Sequence, residues 1–192
     1  MYLTRIEKLC LTLLSLTALA TSGCSLAPAA AVQRDPSQFP EIERGRYLVT
    51  VSGCNDCHTP LKLTPNGPVP DESRLLSGHP ENFKLGPAPK LESGWMFVGA
   101  DTMTAFVGPW GVSYARNITS DTETGIGWMP LEMFVQSMRT GKHFGAGRPI
   151  LPPMPVQNFK YFTDEDLKAI HAYLLSTKPV KNHVPESVPA AP

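Results

Sequence analysis

The 192-residue sequence predicts an all-α fold of few helices joined by long Pro- and Gly-rich loops. Three observations carry that expectation. Apolar residues recur at three/four spacing in three stretches, the period of an amphipathic helix. No segment alternates polar and apolar residues as a half-buried strand does, and no internal repeat is present. The 20 prolines and 15 glycines crowd into residues 60–109 and 149–155, where they favour turns and ordered loops.

The first helix is expected over about residues 40–53, with Pro40 suited to a first-turn position that needs no amide hydrogen. Ile42, Gly45, Val49 and Ser52 or Gly53 share one of its faces. Pro130 opens the second helix, Leu131, Phe134, Val135 and Met138 form its apolar stripe, and Gly141 ends it. The third begins at Thr163, with Asp166 three positions later as a capping-box partner. Leu167, Ile170, His171 and Leu174 continue the spacing, and the helix must end near Lys178-Pro179.

The N-terminus has the layout of an export signal: Arg5 and Lys8, then an apolar run from Leu9 to Ala20, then small residues. That run of about 12 residues is too short to span a bilayer, which takes roughly 20, and no later stretch comes near that length. Thr21-Ser22-Gly23-Cys24 resembles a bacterial lipobox in which Cys24 is lipid-modified, although Thr21 stands where Leu is usual; cleavage after Ala18-Leu19-Ala20 is the alternative. The expected organisation is a lipoprotein-type signal peptide over 1–23, a flexible tether over 24–38, one domain over 39–180 and a Pro/Ala-rich tail over 181–192. The expected location is the periplasmic side, anchored to a membrane through Cys24. Basic and acidic residues balance at 17 each, and no basic patch points to nucleic acid.

The chemistry is concentrated in Cys54-Asn55-Asp56-Cys57-His58. Two thiols three positions apart on one turn can each add to a vinyl group of a haem, and the adjacent imidazole can reach the iron, so C-x-x-C-H points to covalent haem c. A structural zinc site wants four Cys or His ligands in paired knuckles, and the sequence has no second such pair. A thioredoxin-like dithiol wants a βαβ setting that the flanks lack. With Cys10 in the signal, Cys24 acylated and Cys54 and Cys57 on haem, no pair remains for a disulfide. There is a single C-x-x-C-H, hence one haem.

An iron held by one His has a sixth position, and its occupant decides between electron transfer and chemistry. Met154 is the candidate, because Leu151-Pro152-Pro153-Met154-Pro155 is stiffened by prolines that fix φ and push preceding residues toward extended backbone. A thioether favours ferrous iron and raises the potential relative to a second imidazole. Met133 and Met138 fit a helix face, and Met96, Met103 and Met129 read as packing beside aromatic residues. His79, His143, His171 and His183 read as surface or partly buried residues rather than ligands.

These motifs resemble the class I c-type cytochromes, in particular the cytochrome c domains of bacterial periplasmic and membrane-associated oxidoreductase systems. The matching stretches are Gly45-Arg46-Tyr47-Leu48 ahead of the haem motif, Asn117-Ile118-Thr119, Thr124-Gly125-Ile126-Gly127-Trp128, Met138-Arg139-Thr140-Gly141, the Met154 run, and Thr163-Asp164-Glu165-Asp166-Leu167, covering roughly residues 40–180. The resemblance implies a cytochrome c-like fold around one haem, with the first and last helices crossing at Gly45 opposite Tyr173. It also implies that Trp128 donates its indole N–H to a haem propionate, a group that Arg148 or Tyr114 can serve as well. Small members place the ligand Met much nearer the haem motif; the surplus here falls in residues 61–113, long enough to be functional or at least ordered.

The function so implied is one-electron transfer with His/Met ligation and no catalysis by the chain itself, between redox partners such as a dehydrogenase, an oxidase or another cytochrome. Two alternatives stand beside it. One is a haem domain with an open sixth position, acting in peroxidase-like catalysis or sensing. The other is a cytochrome subunit tightly bound to a dehydrogenase.

Overall fold

The computed structural model describes residues 40–190; the expected signal peptide, Cys24 and the whole tether lie outside the described residues. Three helices build the apolar core. The first, α1 (Glu41–Val51), is flanked rather than begun by Pro40, and it ends two residues before the left-handed Gly53. The short α2 (Cys54–His58) follows at once. Further along, α3 (Leu131–Thr140) runs from Pro130 to Gly141, whose φ of 65° closes the helix in the left-handed region. Then come the single turn α4 (Val156–Phe159) and α5 (Asp164–Ser176), the longest helix among the described residues. The expected capping box is present: Thr163 Oγ1 accepts from the Asp166 amide at 3.0 Å and Asp166 accepts from the Thr163 amide at 3.1 Å.

Helices α1 and α5 cross in direct contact. A Cβ added to Gly45 would lie 2.6 Å from the Ala169 carbonyl carbon and 2.7 Å from Tyr173 Cβ, so only glycine allows this approach. Beside the crossing, Arg44 pairs with Asp166. The core comprises Val49, Leu76, Ile126, Phe134, Leu167, Ile170 and Leu174, with Cys54 among the half-buried residues packed on it. Each such side chain contributes about 1.5–3 kcal/mol by leaving water. Ile42, assigned by spacing to the inner face of α1, is instead 46% exposed.

The expectation of an all-α chain needs correction. Among the described residues, six short strands form two antiparallel sheets. Strands β1 (Leu61–Thr64) and β2 (Gly67–Pro70) make a hairpin. Strands β3 (Val98–Gly99), β4 (Ala105–Gly108), β5 (Gly111–Tyr114) and β6 (Val188–Pro189) form a four-stranded sheet in that order. With two to four residues each, and with Gly and Pro inside them, these strands are too short to display a polar/apolar period. β6 lies in the segment expected as a tail; here it pairs with β5, Val188 opposite Val112. The tail also carries the fully buried Asn182.

This part of the chain is held by polar contacts. Asn182 Nδ2 donates to the carbonyls of Ser77 (2.7 Å) and His79 (2.9 Å), while its Oδ1 accepts from the Glu81 amide and from Arg74, both at 2.9 Å. Asn117 likewise uses both ends of its amide: it donates to Val180 O and Thr124 Oγ1 and accepts from Thr119. Satisfied on every side, such groups fix the connections, beside a small apolar patch of Ala105 and Phe106 on β4. No helix among the described residues is long and apolar enough to cross a membrane.

Candidate haem site

The C-x-x-C-H residues form one helical turn. The left-handed Gly53 (φ 71°) ends α1 and redirects the chain, so that Cys54 meets the apolar cluster while Cys57 and His58 follow on α2. Burial pushes the Cys54 thiol up to about 11 and raises the Cys57 thiol as well. Both sulfurs are therefore protonated at neutral pH. A dithiol oxidoreductase works with a lowered thiol pKa, the opposite shift. Neither cysteine is in a disulfide.

His58 is buried, and desolvation lowers its pKa despite the opposing hydrogen bond to a carbonyl. Its Nδ1 donates to the Arg116 carbonyl oxygen at 2.7 Å. That bond fixes the tautomer and leaves Nε2 as a lone-pair donor, the arrangement found around metal-bound imidazoles. A strap from the surplus segment holds the same place. Gly78 donates its amide to the His58 carbonyl at 2.7 Å, and the His79 amide donates to Ala115 O at 2.9 Å. A Cβ on Gly78 would come within 2.6 Å of the Arg116 carbonyl carbon, so the strap can lie this close only as glycine. His79, expected at or near the surface, is buried: its Nδ1 bonds Thr104 Oγ1 at 2.9 Å, and its ring packs against Tyr114 and Phe83.

Met154 occupies an irregular stretch between α3 and α4 and is half-buried; the Pro152-Pro153 peptide ahead of it is cis. Ser113 Oγ on β5 donates to the Pro152 carbonyl at 2.6 Å and accepts from the Trp110 indole at 3.2 Å. The two ligand candidates are thus supported by one short stretch of chain: Pro152 by Ser113, and His58 by Arg116.

Trp128 is 47% exposed, with its ring 5.5 Å from that of Phe144, and its indole N–H has no partner among the described residues. Arg148 and Arg116 both pair with Glu186 at 3.2 Å, and Tyr114 packs on His79. Met96 is 73% exposed rather than packed, whereas Met129 joins the core. His171 is buried on α5 with Nε2 donating to Met129 O.

Among the described residues, no group of three His, Cys, Asp or Glu side chains is arranged to hold a metal ion. One neutral imidazole nitrogen beside two protonated thiols suits an iron that brings its own ring of nitrogens, so the residues present fit a haem. A groove of about 450 Å³ between α3 and α5, lined by Leu131, Val135, Asp164 and Lys168 among others, carries no His, Cys or Met and lies apart from this chemistry.

Sequence reasoning missed Ser113, Arg116 and Gly78. Arg116 acts through its backbone carbonyl and leaves no trace in residue type. Gly78 lies in the Leu76-Ser77-Gly78-His79-Pro80 loop of the surplus segment, but its role depends on the chain it meets.

No family model matches the chain. It is 40% identical over 144 residues to a nicotinate dehydrogenase subunit of Pseudomonas putida, covering 75% of this chain and 9% of that protein. It is 30% identical over 149 residues to the fructose dehydrogenase cytochrome subunit of Gluconobacter japonicus (77% of this chain, 24% of the relative). It is also 30% identical over 148 residues to the alcohol dehydrogenase (quinone) cytochrome c subunit of Gluconobacter oxydans (76% and 24%). The chain spans about a quarter or less of the length of these curated relatives. Their names support a cytochrome c-type domain here.

Proposed function

We propose that this chain is a one-electron transfer protein that carries haem c on Cys54 and Cys57, with His58 and Met154 as axial ligands. The observation that carries the reading is the His58 imidazole: buried, its pKa lowered by desolvation, and held through Nδ1 by the Arg116 carbonyl, it keeps Nε2 for iron. Bound haem would supply the one-electron iron couple.

The remaining work belongs to the chain. Cys54 and Cys57 fix the group by thioether bonds, each S–H adding across a vinyl double bond with no net oxidation. The Gly78 strap and the Arg116 carbonyl hold the imidazole in one orientation. Ser113 and the prolines hold the Met154 loop, which limits the motion that would open the sixth position. Leu76, Ile126 and Phe134 with their neighbours keep water from the buried side. Trp128 is proposed as the donor to a propionate, its indole N–H being available for that contact.

The partner we propose is a dehydrogenase, since the similar proteins are named as dehydrogenase subunits. The chain itself is proposed as carrier, not catalyst. Its proposed place is the periplasmic side of a membrane, with Cys24 acylated.

Met154→Ala separates this reading from a haem domain with an open sixth position. A His58/Met154 carrier should lose reduction potential and gain carbon monoxide binding in the variant. A domain already open at that position should bind carbon monoxide before the substitution and change little after it.

A further inference from the structure

Glu186 lies in the segment after α5, far in sequence from either ligand candidate. Its carboxylate reaches Arg116 through Oε1 and Arg148 through Oε2, each at 3.2 Å. Arg116 is the residue whose carbonyl oxygen holds His58 Nδ1. Arg148 opens the stretch that leads to Met154. Its own carbonyl accepts from the His143 amide at 2.9 Å, and the Ile150 amide donates to Gly141 O at 2.8 Å. Two residues beyond Glu186, β6 pairs with the Gly111–Val112 end of β5, beside the Ser113 that holds Pro152. One carboxylate therefore joins the support of the His58 imidazole to the base of the methionine loop.

We propose that Glu186 is a positioning residue for the axial ligand pair, clamping the Arg116 and Arg148 segments together so that the Met154 loop stays closed over the iron. The inference rests on the haem c reading above. Its carboxylate is exposed, and a single exposed ion pair contributes little to stability. What the clamp supplies is geometric: it removes a way for the Met154 loop to swing clear while the core stays folded. The segment holds a natural control. Lys181 pairs with Glu123 at 2.6 Å in an equally exposed setting and touches neither ligand support.

The experiment uses the full chain loaded with haem, as wild type and as Glu186→Gln, Glu186→Asp and Lys181→Gln. Covalent haem is first checked in denatured samples. Then the affinity of the ferric protein for added imidazole is measured, together with the reduction potential and the thermal midpoint. Glu186→Gln and Glu186→Asp should each bind imidazole about fivefold more tightly, the factor that about 1 kcal/mol provides. Lys181→Gln should match wild type. The aspartate variant keeps the charge and shortens the reach, so it separates clamping from a field effect. If Glu186→Asp binds imidazole as wild type does and Glu186→Gln alters the potential alone, the carboxylate acts by its field and the clamp is overturned. Equal imidazole affinity in all four proteins, with covalent haem intact, would also overturn it while leaving the haem reading standing. A wild-type chain without covalent haem would overturn both.

Discussion

The two sides of this domain are held together by different physics. The helical side, where α1, α3 and α5 meet, is an apolar cluster closed by the Gly45 crossing and by a capping box. The other side, from the β1–β2 hairpin through β5 and the segment after α5, buries His79, Thr102, Thr104, Asn117, Thr119 and Asn182 and joins them by hydrogen bonds. The cysteines sit at the edge of the first side, yet both axial ligand candidates are supported by the second. A hydrophobic core tolerates adjustments of shape, whereas a satisfied hydrogen-bond network fixes directions. Stability and ligand geometry are thereby assigned to separate regions.

The comparison predicts that substitutions on the two sides fail differently. Leu167→Ala, in the core at 1% exposure, should cost about 3–4 kcal/mol of global stability through the cavity it leaves. The haem spectrum of the molecules that remain folded should be unchanged in a denaturant titration followed at several wavelengths. Asn182→Ala should cost less, about 2–3 kcal/mol, because it leaves two carbonyls and the Glu81 amide without their partner. Hydrogen exchange should then accelerate around residues 76–81 before it does in α5. If Asn182→Ala loosens α5 first, the two sides are not separately held.

Ser113→Ala sharpens the contrast. Losing the bonds to Pro152 and Trp110 costs about 1–2 kcal/mol of stability, but the freed Pro152 carbonyl should let carbon monoxide compete for the position assigned to Met154. An equilibrium carbon monoxide titration of the ferrous protein checks it. At neutral pH the smallest effect is that of His143, which shows itself only in acid. Burial first, then the positive charges of Arg148 and Arg116, pushes His143 from 6.5 down to about 4. The folded chain therefore keeps this imidazole neutral while the unfolded chain protonates it. The unfolded state binds more protons between pH 6.5 and about 4, so stability falls as acid is added through that window. His143→Asn should flatten the slope of the thermal midpoint against pH across it, leaving the neutral-pH value nearly unchanged.

The same division explains what could be read from residues alone. Helical spacing located α1, α3 and α5 because their buried sets, Gly45 and Val49 on α1, Phe134 and Ser137 on α3, and Leu167, Ile170 and Leu174 on α5, repeat with the helix. Thr163 and Asp166 announced a cap, and the spacing of Cys54, Cys57 and His58 announced that they share one helical turn. The sheets were not legible: strands such as Gly67–Pro70 and Val188–Pro189 are shorter than any period they could show. Nor was the carbonyl behind His58, because every residue type offers one. The expected tail over 181–192 misled for a related reason. Its composition is that of a linker, while its place in the fold comes from Asn182 and Glu186, two side chains whose partners lie on segments remote in sequence.

A covalent haem held between His58 and Met154 has a spectroscopic signature of its own. Its most direct test is the visible spectrum of the full chain, oxidised and reduced, with and without carbon monoxide, after haem is shown to survive denaturation. His58/Met154 ligation should give a sharp low-spin reduced spectrum that carbon monoxide does not move. A high-spin spectrum shifted by carbon monoxide would contradict the assignment of Met154, and a denatured chain free of haem would contradict the whole account.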